Sequence, residues 1–216
     1  SSLAIDKELS KKIFIKNNIL TPKYLKYSYR NNINKSKLIN NLQKKIGFPL
    51  VVKPLNEGSS VNVFICNKNN ILKTLTKLNE YGEVLLEKYI PGREIQVAIL
   101  ENKVLGAIEL RPTRKFYDYQ AKYNPKARTE HIIPVEISKR KYQELTKIAL
   151  KAHKILNCRG VTRSDFRYYK NSFYLLETNT QPGMTSLSLV PEIANFNNIT
   201  FKNLIKKILK DASINK

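Results

Sequence analysis

Apolar residues recur at helical spacing in five stretches of the chain. Residues 6–17 follow Asp6, a helix-opening residue, with Leu9 and Ile13 predicted on one face, and residues 36–46 form a second run that stops at Gly47. A third helix is expected over about 70–80, a fourth over 138–156, and a fifth over 200–212 behind Thr200 as N-cap. In the fourth, Tyr142, Leu145, Ala149, Ala152 and Leu156 make an apolar stripe. Phe201, Leu204, Ile205, Ile208 and Leu209 do the same in the fifth. Shorter β-type runs lie between: FPLVVKP ending at Pro54, and VNVFI at 61–65, joined as a hairpin through NEGSS. EVLLEKY follows, and then IPGRE breaks the pattern.

A domain junction is therefore placed near residue 88, with one subdomain over 1–88 and another over 89–216. The second opens with EIQVAILENKVLGAIEL, two strands about a turn at Glu101-Asn102-Lys103. From Arg111 to Pro134 neither period persists, and a connection of that length is expected to be functional or disordered. Strands mixed with helices in this order give an α+β class.

Residues 161–179 carry the first chemistry. VTRSDFRYY and FYLLETN flank Lys170-Asn171-Ser172; a loop of those three residues sets Asp165 opposite Glu177 and Arg163 opposite Asn179. Alternation then puts all four on one face, with Phe173 and Leu175 deeper on the same face. Two carboxylates with Cβ atoms about 5 Å apart repel unless a proton or a cation intervenes. The oxygen set of Asp165, Glu177 and Asn179 suits a hard ion such as magnesium, and the planar fork of Arg163 suits an anion. The competing reading is a surface hairpin in which Arg163 and Asp165 neutralise one another. Beyond Asn179, Pro182-Gly183 turns the chain where a backbone N–H can approach a ligand, and Ser186 and Ser188 add hydroxyls for a carboxylate or oxyanion, or simply cap the turn.

Composition narrows the classes. With 216 residues and 42% hydrophobic content, the chain can bury a real core. Its net charge of +22 invites a polyanionic partner, but the lysines are scattered among Asn and Ile rather than clustered, so no nucleic-acid site is expected. Cys66 and Cys158 lie far apart without metal-ligand spacing, which excludes a zinc site or disulfide framework and fits a reducing cytosol. The start, SSLAIDKELSKKIF, has no apolar core of signal-peptide length, and no later segment has the length of a spanning helix; a cytoplasmic protein away from membranes is expected.

DKELSK, FPLVVKPLNEGSSV, VLLEKYIPGREIQVAIL, FYDYQAKY and LLETNTQPGMTSLSLVP occur in an order that resembles the D-alanine–D-alanine ligase family, and the likeness covers essentially the whole chain. The resemblance implies an ATP-grasp fold: two α+β subdomains with mainly antiparallel sheets enclosing a nucleotide cleft. It implies that Asp165, Glu177 and Asn179 hold magnesium, with manganese as a substitute, and that Lys7, Lys53 and Lys122 hold ATP phosphates. Glu87, Lys88 and Ile90 resemble the segment that receives adenine, with Glu94 near the ribose. Ser59 resembles the loop serine that holds Tyr123 over the substrate, within a lid. Arg163, Gly183, Ser188 and Leu189 resemble the residues that bind the substrate carboxylate and the tetrahedral intermediate.

The implied reaction is phosphorylation of one D-alanine carboxylate by ATP, then attack of a second D-alanine amine on the acyl phosphate, for peptidoglycan synthesis. His131 and His153 need no catalytic part. The family normally carries a further amino-terminal domain, expected in cis or in trans, and a homodimer is compatible. Two alternatives stay open: an ATP-grasp ligase with another acceptor, and a non-catalytic basic fragment that binds a polyanion.

Overall fold

The structure, a computed structural model, describes residues 2–29, 34–58, 61–112, 129–185 and 188–212. Its order is α1 (Ser2–Ile5), α2 (Lys7–Lys16), β1 (Tyr24–Ser28), α3 (Lys35–Lys45), β2 (Leu50–Pro54), β3 (Phe64–Cys66), α4 (Ile71–Lys77), β4 (Glu83–Lys88), β5 (Arg93–Leu100), β6 (Lys103–Pro112), β7 (Thr129–Ile132), α5 (Lys139–Ile155), β8 (Val161–Tyr169), β9 (Ser172–Asn179), α6 (Leu189–Phe196) and α7 (Phe201–Asp211). The strands form two antiparallel sheets, β1-β4-β2-β3 and β7-β6-β5-β8-β9.

Each sheet buries one face under helices, and the period of two decides which side chains are left for the other face. In the first sheet Leu50, Val52, Val84 and Leu86 pack against Leu38 and Leu42 of α3 and Ile71 and Leu75 of α4. Val51, Lys53, Leu85 and Glu87 alternate to the opposite face. In the second sheet Ile95, Val97, Ile99, Phe166, Phe173 and Leu175 pack against Leu145, Ala149 and Ala152 of α5. The reverse face holds α6 and α7 at one end through Ala98, Leu100, Val161, Ile193 and Leu204. At its other end that face carries Glu94, Gln96, Arg163, Asp165 and Arg167.

Several local expectations change. Helix α2 does not present Leu9 inward: Leu9 is 38% exposed, while Lys7, Ser10, Lys11 and Phe14 form its buried face. Phe14 and Ile19 join the core of the second sheet, so this early segment packs with the later strands. The strand expected at 61–65 is instead Phe64–Cys66, paired Leu50↔Cys66 and Val52↔Phe64, with a longer connection before it. The stretch expected as a loop over 111–134 contributes the end of β6 and all of β7, where Glu109 pairs with Ile132. Helix α7 forms behind Thr200, whose Oγ1 accepts from the Asn203 N–H at 3.3 Å, but of its apolar stripe Leu204 is buried and Leu209 is 65% exposed. Both cysteines are buried and unpaired.

The β8–β9 hairpin reaches the expected register by a different route. Its turn is two residues, Lys170 and Asn171, both at positive φ, with Tyr169 paired to Ser172. The ladder then shifts between Asp165 and Phe166: Phe166 pairs with Leu175, yet Asp165 pairs with Glu177 and Arg163 with Asn179. A one-residue bulge at Leu176 absorbs the difference. Phe173 and Leu175 consequently face α5, on the other side of the sheet from Asp165 and Glu177, contrary to the expected shared face. Phe173 stacks on Tyr168 there, with ring centroids 4.5 Å apart.

The link between the sheets turns at Gly92, which has φ +106; a Cβ there would overlap the Tyr168 carbonyl oxygen. Gly92→Ala is expected to lower folding stability by about 3 kcal/mol, combining left-handed strain with displacement of backbone that has nowhere to go. Urea denaturation at neutral pH measures this; an unchanged midpoint would mean the link is free to move away from β8.

Candidate functional site

The uncovered faces of the two sheets look toward one another, and the space between them is a cleft of about 790 Å³. From the first sheet it receives Val51, Lys53 and Glu87; from the second, Glu94, Asp165, Arg167, Leu176 and Glu177. Lys7 of α2 also lines it, as do Lys88, Tyr89 and Ile90 at the link. A second cavity of about 1010 Å³ shares Lys7, Glu57, Gly58 and Glu177, and continues to Arg163, Asn179, Gln181 and Gly183. Most of the expected site residues thus border one continuous depression, at the interface position that ligands favour.

The cationic side is built on a buried row of charge. Lys53 Nζ donates to Glu87 Oε1 at 2.7 Å, and Lys11 Nζ lies 2.9 Å from Glu87 Oε2. Burial alone would raise the Glu87 carboxyl; Lys11 and Lys53 outweigh it and hold the group down at about 2. Burial likewise disfavours the Lys53 ammonium, but Glu87, Glu177 and Asp165 together keep it above its ordinary value. Lys7 is pushed down, first by burial, with Glu177 opposing; its ammonium donates to the Leu55 carbonyl at 3.2 Å and to the Glu57 carbonyl. Lys7 is therefore part of the cleft wall rather than a solvated charge, and Lys11 is buried behind it.

On the facing side, Arg163 grips Asp165 with both arms of its guanidinium, Nε to Oδ1 at 2.8 Å and Nη2 to Oδ2 at 2.9 Å. The neutralising pair expected on the competing reading does form, but Asp165 is buried in the cleft rather than on an open hairpin. A carboxylate offers about four lone-pair sites, so this fork leaves room for a cation beside it. Asn179 Oδ1 accepts from the Gln181 N–H at 2.8 Å, which orients the amide. Among the described residues no trio of His, Cys, Asp or Glu forms a metal cluster. Asp165, Glu177 and Asn179 still stand at adjacent register positions on one face, an all-oxygen set that fits a hard divalent ion.

The remaining expected residues divide clearly. Glu94 is buried and ion-paired to Arg167 at 3.4 Å, and Arg167 also donates to the Gly92 carbonyl at 3.0 Å. Lys88 directs its ammonium to the Phe48 carbonyl at 2.9 Å, so its contribution to the cleft is backbone. Gly183 sits so close to Ser188 that a Cβ there would lie 2.8 Å from Ser188 Oγ. That hydroxyl accepts from the Thr185 N–H at 2.9 Å, which is the turn-capping role. Leu189 starts α6 with its side chain in the core, leaving its backbone N–H as the group able to meet a ligand. Ser59, Lys122 and Tyr123 lie outside the described residues. His153 is buried, with Nδ1 2.8 Å from Thr162 Oγ1, consistent with a packing role.

Lys11, Arg167 and Gln96 were not singled out by the sequence. Lys11 had one available signal, its position one turn after Lys7 on the same helix face. Arg167 and Gln96 share a sheet face with Asp165 by alternation, which the hairpin register already implied for Arg167.

A family model described as "D-ala D-ala ligase C-terminus" matches residues 14–210. The D-alanine–D-alanine ligase of Pelagibacter ubique (strain HTCC1062) is 62% identical over 216 residues, covering 100% of this chain and 70% of the relative. Among solved structures, the D-alanine–D-alanine ligase from Bacillus anthracis matches with a TM-score of 0.84 at 35% identity, over 97% of this chain and 67% of that one. The same enzyme complexed with ATP matches with a TM-score of 0.80 at 30% identity, covering 97% and 66%. The chain spans about two thirds of the length of the relatives it matches.

Proposed function

The chain belongs to the D-alanine–D-alanine ligase family, with the ATP-grasp fold, and from that premise we propose that it forms the nucleotide- and metal-binding part of an enzyme joining two D-alanines. One observation carries the reading: Asp165↔Glu177 and Arg163↔Asn179 register on a face that lines the same cleft as Lys7 and Lys53. Acidic oxygens facing ammonium groups across a cleft between two sheets suit a nucleoside triphosphate and its counter-ion.

In this reading the Glu87–Ile90 segment receives adenine, Glu94 meets the ribose, and Lys7 and Lys53 lie along the phosphates. Asp165, Glu177 and Asn179 would hold magnesium or manganese, whose charge neutralises the phosphoryl group in transfer. A D-alanine carboxylate oxygen attacks the γ-phosphorus and the bond to ADP breaks; the amine of a second D-alanine then attacks the acyl carbon and phosphate leaves. Arg163 and Gly183 border the second cavity, and in this reading Arg163 and the Gly183 N–H, with Ser188 and Leu189 next along the chain, meet the carboxylate and oxyanion charge. The protein's work is positioning and charge complementation, so no enzyme nucleophile is needed.

The subdomain division at 88/89, the parts of Ser59, Lys122 and Tyr123, a homodimer, a cytoplasmic site and an amino-terminal domain in cis or in trans belong to the same proposal. No described helix is long and apolar enough to cross a membrane. Mg-ATP is expected to stabilise the chain by about 2.7 kcal/mol at a hundredfold excess over Kd, read as a rise in melting temperature. No rise at any Mg-ATP concentration would overturn the reading. With the rest of the ligase present, phosphate release on adding D-alanine tests ligation, and preference for D-lactate or D-serine would reassign the acceptor.

A further inference from the structure

We infer that Lys11 is a positioning residue for the nucleotide: it holds Glu87 in the orientation that aims Lys53 along the cleft. This rests on the nucleotide reading above, but concerns a residue to which that reading gives no part.

Lys11 is 1% exposed, although lysine is among the side chains least often fully buried. Such a site tolerates an ammonium only with close partners. The Lys11 Nζ donates to Thr21 Oγ1 at 2.6 Å and lies 2.9 Å from Glu87 Oε2. The ammonium also lies over the Tyr24 ring, 5.7 Å from its centroid. The contact with Glu87 is a buried ion pair. Thr21 therefore anchors the ammonium, and the ammonium attracts the carboxylate.

Glu87 is thus shared, Oε2 toward Lys11 and Oε1 to Lys53 at 2.7 Å. The three charges come from α2, β2 and β4, and the row ends at the cleft, which Lys53 and Glu87 line and Lys11 does not. Removing the Lys11 charge frees Oε2. The Lys53 ammonium, with three donors, can then bridge both oxygens and draw back from the phosphate side. Burial disfavours the Lys11 ammonium, and Glu87 opposes that effect. The packing of α2 itself rests on Phe14 in the core of the second sheet, separate from this row.

The test is a double-mutant cycle on Mg-ATP affinity by titration calorimetry, using wild type, Lys11→Met, Glu87→Gln and the double variant. Lys11→Met is expected to weaken binding at least about tenfold in the wild-type background and less than about twofold when Glu87 is already glutamine, with Lys11→Arg restoring most of the loss. Wild-type affinity in Lys11→Met, or an equal loss in both backgrounds, would overturn the inference, the latter marking a purely structural residue. If Lys11→Met does not fold, Thr21→Val decides: it keeps every charge but removes the anchor, and unchanged Mg-ATP affinity would count against positioning. Failure of the wild type itself to bind Mg-ATP would instead bring down the nucleotide reading.

Discussion

Replacing Glu177 with alanine is expected to abolish the magnesium-dependent part of nucleotide binding. Glu177 faces Asp165 across the β8–β9 ladder and lines both cavities. With one carboxylate gone, the oxygen set falls to Asp165, already shared with Arg163, and the amide of Asn179. Neither residue alone offers the charge a hard divalent ion requires. Glu177 also raises the proton affinity of Lys7 and Lys53, so its loss leaves the cationic wall less compensated. Metal-free ATP should therefore bind Glu177→Ala as well as wild type or better, while the gain on adding magnesium, expected to be about a hundredfold or more in wild type, vanishes. Titrations with magnesium and with chelator separate the two. A magnesium gain that survives in Glu177→Ala would remove this residue from the ion's ligand set.

The second large effect concerns stability. Glu87→Ala leaves Lys11 and Lys53 as neighbouring buried ammonium groups with no carboxylate between them, and breaking a buried pair in this way costs about 3–5 kcal/mol. For a chain of this size that corresponds to a fall in melting temperature on the order of 10 °C. A pH signature accompanies it. The Glu87 carboxyl sits at about 2 in the fold against an ordinary 4.5, so its contribution is present above pH 4.5 and is lost as pH falls through the folded value. The stability gap between wild type and Glu87→Gln should thus narrow as pH drops from about 4.5 toward 2. A gap that stays constant over that range would show that ionisation of Glu87 contributes nothing.

Much of this was legible from the letters alone, for physical reasons that differ from one element to the next. The stripe of Tyr142, Leu145, Ala149, Ala152 and Leu156 specified α5 because a helix against a sheet must repeat its apolar residues at that spacing. Asp165 opposite Glu177 was expected from a three-residue loop, and the pairing holds because the bulge at Leu176 offsets a turn one residue shorter. Strand β1 went unread because YLKYS lies at a sheet edge, half-buried except for exposed Lys26, where neither an apolar run nor a clean alternation is required. Helix α6 was hidden inside a segment whose hydroxyls drew a chemical reading; Pro191 in its first turn is compatible with a helix start. Lys11 was unreadable for a deeper reason. Pattern analysis assigns lysine to water, and a lysine is buried only because a glutamate seventy-odd residues away arrives beside it, a fact that local periodicity cannot hold.

The extra residue in β9 has an implication for how this hairpin tolerates change in length. Leu176 is the member of the ladder without its own partner: Phe166 takes Leu175 and Asp165 takes Glu177. Excising it would convert the hairpin into a regular ribbon while leaving the acidic pair matched and the aromatic stack intact. What such a shortened chain would forfeit is the greasy panel that Leu176 contributes to a cleft otherwise walled on that strand by polar groups. The irregularity therefore sets the texture of the cleft floor, independently of the alignment of its charges.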